Sequence, residues 1–255
     1  VTLFHRDFGT QGKPPLVLLH GLLGSSRNWQ SAGRDLAAAY HVFAPDLPNH
    51  GSSPHFADAG YELMMAEFLR WVDAQGLKRF VLLGHSMGGK LAMLIACRHP
   101  ELIERLIIVD IAPKDYLALS HRTNLIAMKE LRLDTLRSRA EAELHLEARV
   151  PDWGTRKFLA TNLECDESNH WHWTINLDAL IKDFPAIEAD SLVPADHFSG
   201  PALFIAGGRS HYLEAGDWPA VESHFPNATL EVIPDSGHNP HMDTREAFVK
   251  LILPH

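Results

Sequence analysis

The chain has 255 residues, 45% hydrophobic and 22% charged, with a formal net charge of −9. That length can bury a large core in one domain with an insertion. The acidic balance argues against a nucleic-acid partner, which shows as a basic patch, and no apolar run approaches the ~20 residues of a membrane-crossing helix.

At the N-terminus, Val1-Thr2-Leu3-Phe4-His5-Arg6 reads as a strand, not as the charged start and apolar core of a signal. Cytoplasmic location is therefore the expectation, although a chain that begins without Met leaves a removed leader open. Leu16-Val17-Leu18-Leu19 is a continuous apolar run, the pattern of a strand buried on both faces, and it ends in the turn His20-Gly21-Leu22-Leu23-Gly24. Helical periodicity covers Trp29 to Ala39. His41-Val42-Phe43-Ala44-Pro45 is the next strand, followed by the breaker-rich loop Asp46 to Pro54. Leu63, Met64, Phe68, Leu69 and Val72 have helical spacing and predict an amphipathic helix from Tyr61 to Ala74, ending near Gly76.

The strand Arg79-Phe80-Val81-Leu82-Leu83 leads into Gly84-His85-Ser86-Met87-Gly88-Gly89. An apolar, helix-forming stretch, Lys90 to Cys97, follows. Strand, G-x-S-x-G turn and helix together read as a serine nucleophile held on a tight turn. Cys97 then sits on that helix as a small apolar residue, and with only Cys165 besides it there is no disulfide framework. Arg105 to Asp110 is a further buried strand.

Between Lys114 and Ser199 the pattern turns helical and charged, with little that resembles a strand. Helices are predicted over Thr123–Leu136, Arg139–Arg149 and Thr155–Leu163. Strands return at Pro201–Ala206 and Thr229–Ile233, and a helix over Ala247–Leu253 closes the chain. The alternation of strands and helices predicts an α/β fold with a mostly parallel sheet. Residues 1–113 and 199–255 form its core, and 114–198 form a helical cap.

A serine hydroxyl needs an adjacent base, and the base needs an acid that fixes its tautomer. His238, in Asp235-Ser236-Gly237-His238-Asn239-Pro240-His241, follows the last strand and can return to the serine across the strand ends; His241 is its rival. For the acid, Asp110 ends an apolar strand, where a carboxylate is costly to bury without a partner. Glu214 and Asp217 compete with it, and Asp178 and Asp183 are more distant alternatives. Ser210 stands where many such enzymes carry aspartate. Oxyanion donors are expected at the N–H groups of Leu22 and Met87. His85 points away from the neighbouring serine; it has a structural reading and is also a candidate substrate contact. His50, His55, His170 and His172 match no metal-ligand spacing, so no metal is expected.

With His20-Gly21, the Ser86 turn and the terminal Gly237-His238 in order, the chain resembles the α/β-hydrolase superfamily over nearly its whole length. Two finer features resemble the branch of small bacterial esterases similar to YbfF and their mitochondrial relatives of the ABHD11 type. They are the loop Asp46 to Pro54, and Val109-Asp110-Ile111-Ala112-Pro113 paired with Gly207-Gly208-x-Ser210-x-Tyr212. The chain departs from that branch at Pro48, where arginine is usual, and at Arg209, where asparagine is common. In that branch the acid follows the earlier strand, which favours Asp110. The resemblance implies a serine carboxylesterase that hydrolyses small to medium acyl esters through an acyl-enzyme, without metal or organic cofactor, as a monomer or homodimer. An acyl thioesterase or C–C bond hydrolase with the same three residues, or a hydrolase-fold small-molecule receptor, are the alternatives. Trp153, Trp171, Trp173, Leu117, Leu119, Leu125 and Met128 are candidates for an apolar acyl pocket, against plain packing of cap on core.

Overall fold

The computed structural model of the chain describes residues 2–9, 11–117 and 119–254. The elements in chain order begin with β1 (His5–Asp7), β2 (Pro15–Leu19), α1 (Gln30–Leu36), β3 (His41–Pro45) and α2 (Tyr61–Ala74). Next come β4 (Phe80–His85), α3 (Met87–Arg98), β5 (Ile103–Val109), α4 (Leu119–Glu130), α5 (Arg139–Leu146) and α6 (Trp153–Ala160). A hairpin of β6 (Leu163–Cys165) and β7 (Trp171–Trp173) leads to α7 (Leu177–Lys182) and α8 (Phe184–Glu188). The chain closes through β8 (Ala202–Gly207), α9 (Trp218–His224), β9 (Ala228–Ile233), α10 (Pro240–Asp243) and α11 (Arg245–Ile252). The N-terminal strand is shorter than its sequence suggests, and Val1 lies outside the described residues.

Among the described residues, seven strands form one sheet in the order β1-β3-β2-β4-β5-β8-β9. Among the described residues, the edge pair β1–β3 is antiparallel and the other pairs of this sheet are parallel. Side chains alternate across a strand, and the apolar runs therefore feed two layers. Leu16 and Leu18 of β2, Val81 and Leu83 of β4 and Ile107 and Val109 of β5 face Trp29, Leu36 and Phe248 on the side of α1 and α11. Val17, Leu19, Leu82, Leu106 and Ile108 face the opposite side, with Phe68 and Trp71 of α2 and Leu91 and Ile95 of α3. Each such side chain contributes about 1.5–3 kcal/mol on burial. A one-residue slip in register would invert both layers, so the pairing is tightly specified.

Between β5 and β8 the chain leaves the sheet. This stretch is mostly helical, but β6 and β7 pair antiparallel, with Leu163 opposite Trp173 and Cys165 opposite Trp171. The expectation of little strand there is corrected by that hairpin. Trp171-His172-Trp173 has the period of a strand, with both indoles on one face. The segment is tied to residues just past the carboxyl ends of the core strands. Asn162 Nδ2 donates to the Leu23 carbonyl at 2.9 Å, beyond β2. The Asn176 N–H donates to the Asn49 carbonyl at 3.0 Å, beyond β3. Lys90 Nζ, beyond β4, donates to the carbonyls of Glu188, at 3.0 Å, and Ala189.

Candidate active site

Ser86 occupies the turn between β4 and α3 at φ 52° and ψ −120°, a conformation that non-glycine residues rarely adopt. The turn is held by the Ser86 N–H on the Val109 carbonyl at 3.1 Å. Its flanking glycines are sterically required. A Cβ on Gly84 would lie 2.2 Å from the Gly88 carbonyl oxygen, and one on Gly88 would lie 2.5 Å from that of His20. The serine also heads α3, where the first N–H groups lack intrahelical acceptors and favour negative charge.

Asp110 follows β5 with φ at 52° and is fully buried. A buried carboxylate must be hydrogen-bonded, and Asp110 accepts three bonds. The Gly207 N–H donates to Oδ1 at 2.9 Å, and the Ser210 hydroxyl and His238 Nδ1–H both donate to Oδ2, the latter at 2.7 Å. In the neutral ring that last bond places the proton on Nδ1 and makes Nε2 the acceptor. Ser210, which stands where many such enzymes carry aspartate, is thus a donor to the carboxylate contributed by the earlier strand.

The other carboxylates considered are engaged elsewhere. Asp217 pairs with Lys114 at 2.7 Å and Glu214 with His211 at 2.7 Å. Asp183 accepts from the Ala59 N–H, and Asp178 pairs with Lys129. His241 is buried against Trp29, ring centroids 4.3 Å apart, and its Nδ1 has no hydrogen-bond partner among the described residues. Burial pushes His241 down to about 3, with the nearby His238 adding to the effect, so it is neutral near pH 7.

His238 is braced on two further sides. Its ring stacks on Tyr212, with centroids 3.8 Å apart and planes 21° off parallel. Its backbone carbonyl accepts from His85 Nε2 at 2.7 Å. His85 is buried, and burial first, then the neighbouring histidines, holds it well below its ordinary pKa. It is a neutral strut between the serine turn and the His238 loop. On the outer side of Tyr212, the phenolic oxygen is 2.8 Å from His121 Nε2 of α4.

The loop after β2 is fixed by two neutral histidines. His20 Nδ1–H donates to the Gly21 carbonyl at 2.8 Å, so its Nε2 accepts from the Leu47 N–H at 2.9 Å. His50 Nδ1–H donates to the Pro48 carbonyl at 2.9 Å and Nε2 accepts from the Leu23 N–H at 3.3 Å. Burial lowers both pKa values, to about 3 for His50. Leu22 is therefore held rigidly between two anchored residues, and it borders the serine together with Met87.

Ser86 lines two cavities. The larger, of about 600 Å³, is lined among others by His20, His85, His238, Asn124, Thr155 and Phe158. The smaller, of about 40 Å³, is bordered along α3 by Met87 and Lys90. Among the described residues no hydrogen bond joins the Ser86 hydroxyl to His238, although both face the larger cavity. Such bonds often tighten only around substrate.

The aromatic candidates for an acyl pocket lie elsewhere. Trp153 is 60% exposed, with the Lys157 ammonium 4.2 Å above its ring. Trp171 and Trp173 pack on Leu136, Ala142 and Leu163, and Trp173 also packs against the main core. Leu125 and Met128 are core residues, and Leu117 is almost fully exposed. The Leu119 side chain lies outside the described residues. Composition identifies large apolar side chains but not the face they occupy, hence the correction. Sequence reasoning missed His121, Tyr116, Tyr61 and Lys90. A single lysine in the apolar run Met87–Ala96 was the one visible signal among them.

Residues 14–146 match the family model for the alpha/beta hydrolase fold, and the chain belongs to that family of hydrolases. It is 35% identical over 246 residues to the sn-1-specific diacylglycerol lipase ABHD11 of Mus musculus, covering 94% of this chain and 80% of that one. It is 31% identical over 239 residues to the esterase YbfF of Escherichia coli, covering 93% and 91%. A solved marine microorganism esterase superposes with a TM-score of 0.94 at 34% identity, covering 98% of each chain. The protein is accordingly an enzyme of the esterase and lipase type. Among its described residues, no helix is long and apolar enough to cross a membrane.

Proposed function

We propose that the protein is a serine carboxylesterase working through an acyl-enzyme, with Ser86 as nucleophile, His238 as base and Asp110 as acid. The observation that carries this reading is the 2.7 Å bond from His238 to buried Asp110, at the cavity onto which Ser86 opens. Ser86 Oγ attacks the ester carbonyl while its proton passes to His238 Nε2, and Asp110 stabilises the imidazolium that forms. The N–H groups of Leu22 and Met87 receive the oxyanion; losing one such donor typically costs about 100- to 1,000-fold in rate. His238 protonates the departing alcohol, and a water repeats the cycle to release the acid.

Residues 114–198 serve as a cap over the site, a reading supported by Asn162, Asn176 and the Glu188 carbonyl, which tie them to the core just beyond the carboxyl ends of β2, β3 and β4. Relatives described as an esterase and a diacylglycerol lipase support an ester carbonyl as the target. The test is labelling by a fluorophosphonate alongside turnover of p-nitrophenyl esters. The reading expects label on Ser86 and loss of both signals in Ser86→Ala. Turnover that survives in Ser86→Ala would overturn it.

A further inference from the structure

The two cavities at Ser86 differ in size and in what borders them, and the difference bears on which half of an ester each receives. The larger contains His238 and the smaller does not. In a tetrahedral intermediate the oxyanion, the leaving alcohol and the acyl chain project in different directions from one carbon. The alcohol must lie beside the base that protonates it, which puts it in the cavity of about 600 Å³. Leu22 borders both cavities, and Met87 borders the smaller one. The acyl chain, directed away from His238 and past these donors, enters the space along α3.

That space is small. Its lining includes Tyr61, Lys90, Ile111, Tyr116, Phe184 and Ile187. Lys90 is 2% exposed. Its ammonium is held by the carbonyls of Glu188 and Ala189 and lies 5.1 Å from the Tyr116 ring centroid and 5.9 Å from that of Tyr61. A longer chain would have to displace an ammonium already bonded to the inserted segment, leaving a buried charge unpaired. At roughly 10–15 Å³ for each water-sized occupant, the 40 Å³ available takes about three non-hydrogen atoms. The other cavity, by contrast, is within the range that buries a whole small-molecule ligand.

We infer that the site is divided, with the small pocket bordered by Lys90 taking a short acyl group, acetyl to butyryl, and the His238 chamber taking a much larger alcohol. This rests on the serine-esterase reading and adds the substrate class to it. The residues that set acyl length are then Lys90, Phe184 and Ile187, and not the tryptophans of the inserted segment.

Two ester series on the intact protein test the division. In p-nitrophenyl esters of growing acyl length, kcat/KM should fall at least about tenfold from butyryl to hexanoyl, because methylenes beyond what a small apolar pocket holds are costly. In acetates of growing alcohol, from ethyl to decyl, kcat/KM should stay level or rise. Ile187→Ala removes lining while keeping the backbone carbonyl that accepts from the Tyr61 hydroxyl at 2.9 Å. It should move the acyl optimum to longer chains and leave the ranking of alcohols unchanged. If that variant does not fold, Phe184→Leu makes the same test. Equal or better turnover of octanoyl than butyryl esters, with acetates failing as the alcohol grows, would overturn the division while leaving the esterase reading intact. No turnover of any ester and no labelling of Ser86 would instead overturn the esterase reading, and the division with it.

Discussion

Asp110→Asn probes the acid with little change in volume. The native carboxylate accepts from the Gly207 N–H, the Ser210 hydroxyl and His238 Nδ1–H. If the amide keeps its oxygen toward Gly207, its NH2 faces His238 and Ser210. A donor there obliges His238 to present a lone pair at Nδ1, which moves its proton to Nε2, the nitrogen that must accept from Ser86. In a serine protease the equivalent change lowers kcat by about 10,000-fold. At 1.36 kcal/mol per tenfold, that is roughly 5.4 kcal/mol of lost transition-state stabilisation. The assay is initial-rate release of p-nitrophenol from p-nitrophenyl acetate, with thermal unfolding measured in parallel to show that the variant is folded. A folded Asp110→Asn protein within tenfold of the parent kcat would refute this reasoning. So would a comparable loss in Asp217→Asn, whose carboxylate is committed to Lys114.

Ser210→Ala removes one donor to a buried carboxylate, a bond worth roughly 1.5–3 kcal/mol; kcat should fall about 10- to 100-fold with KM nearly unchanged, and parental kcat would assign Ser210 no part in holding Asp110. Acid should destabilise the fold early. His50 and His241 are pushed down to about 3, chiefly by burial, from an ordinary 6.5. The unfolded chain therefore takes up protons below about pH 6.5 that the folded one refuses until about 3, and stability falls through that window. Moving to pH 5 costs about 2 kcal/mol for each of these histidines, so urea midpoints should drop sharply between pH 7 and pH 5; equal midpoints would contradict this. Trp153→Ala, outside both cavities, should change kcat/KM by less than about twofold, within the usual range for exposed positions. A tenfold loss would restore Trp153 to the substrate pocket.

Much of the fold was legible because it is written locally. The runs Leu16–Leu19 and His41–Pro45, and the helix spacing of Tyr61–Ala74, match elements within a residue or two. The serine turn was legible for the same reason, since strand, glycines and helix are contiguous. Tertiary partners were not. Tyr212 stacks on a histidine 26 residues away along the chain, and Lys90 meets carbonyls in a segment about 100 residues later. The inserted segment was read by composition, so its tryptophans were assigned to a pocket. Period-two alternation in Trp171-His172-Trp173 instead builds a hairpin face. His85 was read both as structural and as a substrate contact. It borders the larger cavity, and its hydrogen bond runs to the His238 carbonyl.

Covalent catalysis by Ser86 is tested most directly by rapid mixing of the protein with p-nitrophenyl acetate and mass analysis of the quenched protein. The proposed mechanism predicts a burst of p-nitrophenol, one per active site, with an acetyl group on the peptide that contains Ser86. Steady turnover without burst or adduct, in protein that still hydrolyses the ester after Ser86→Ala, would contradict it.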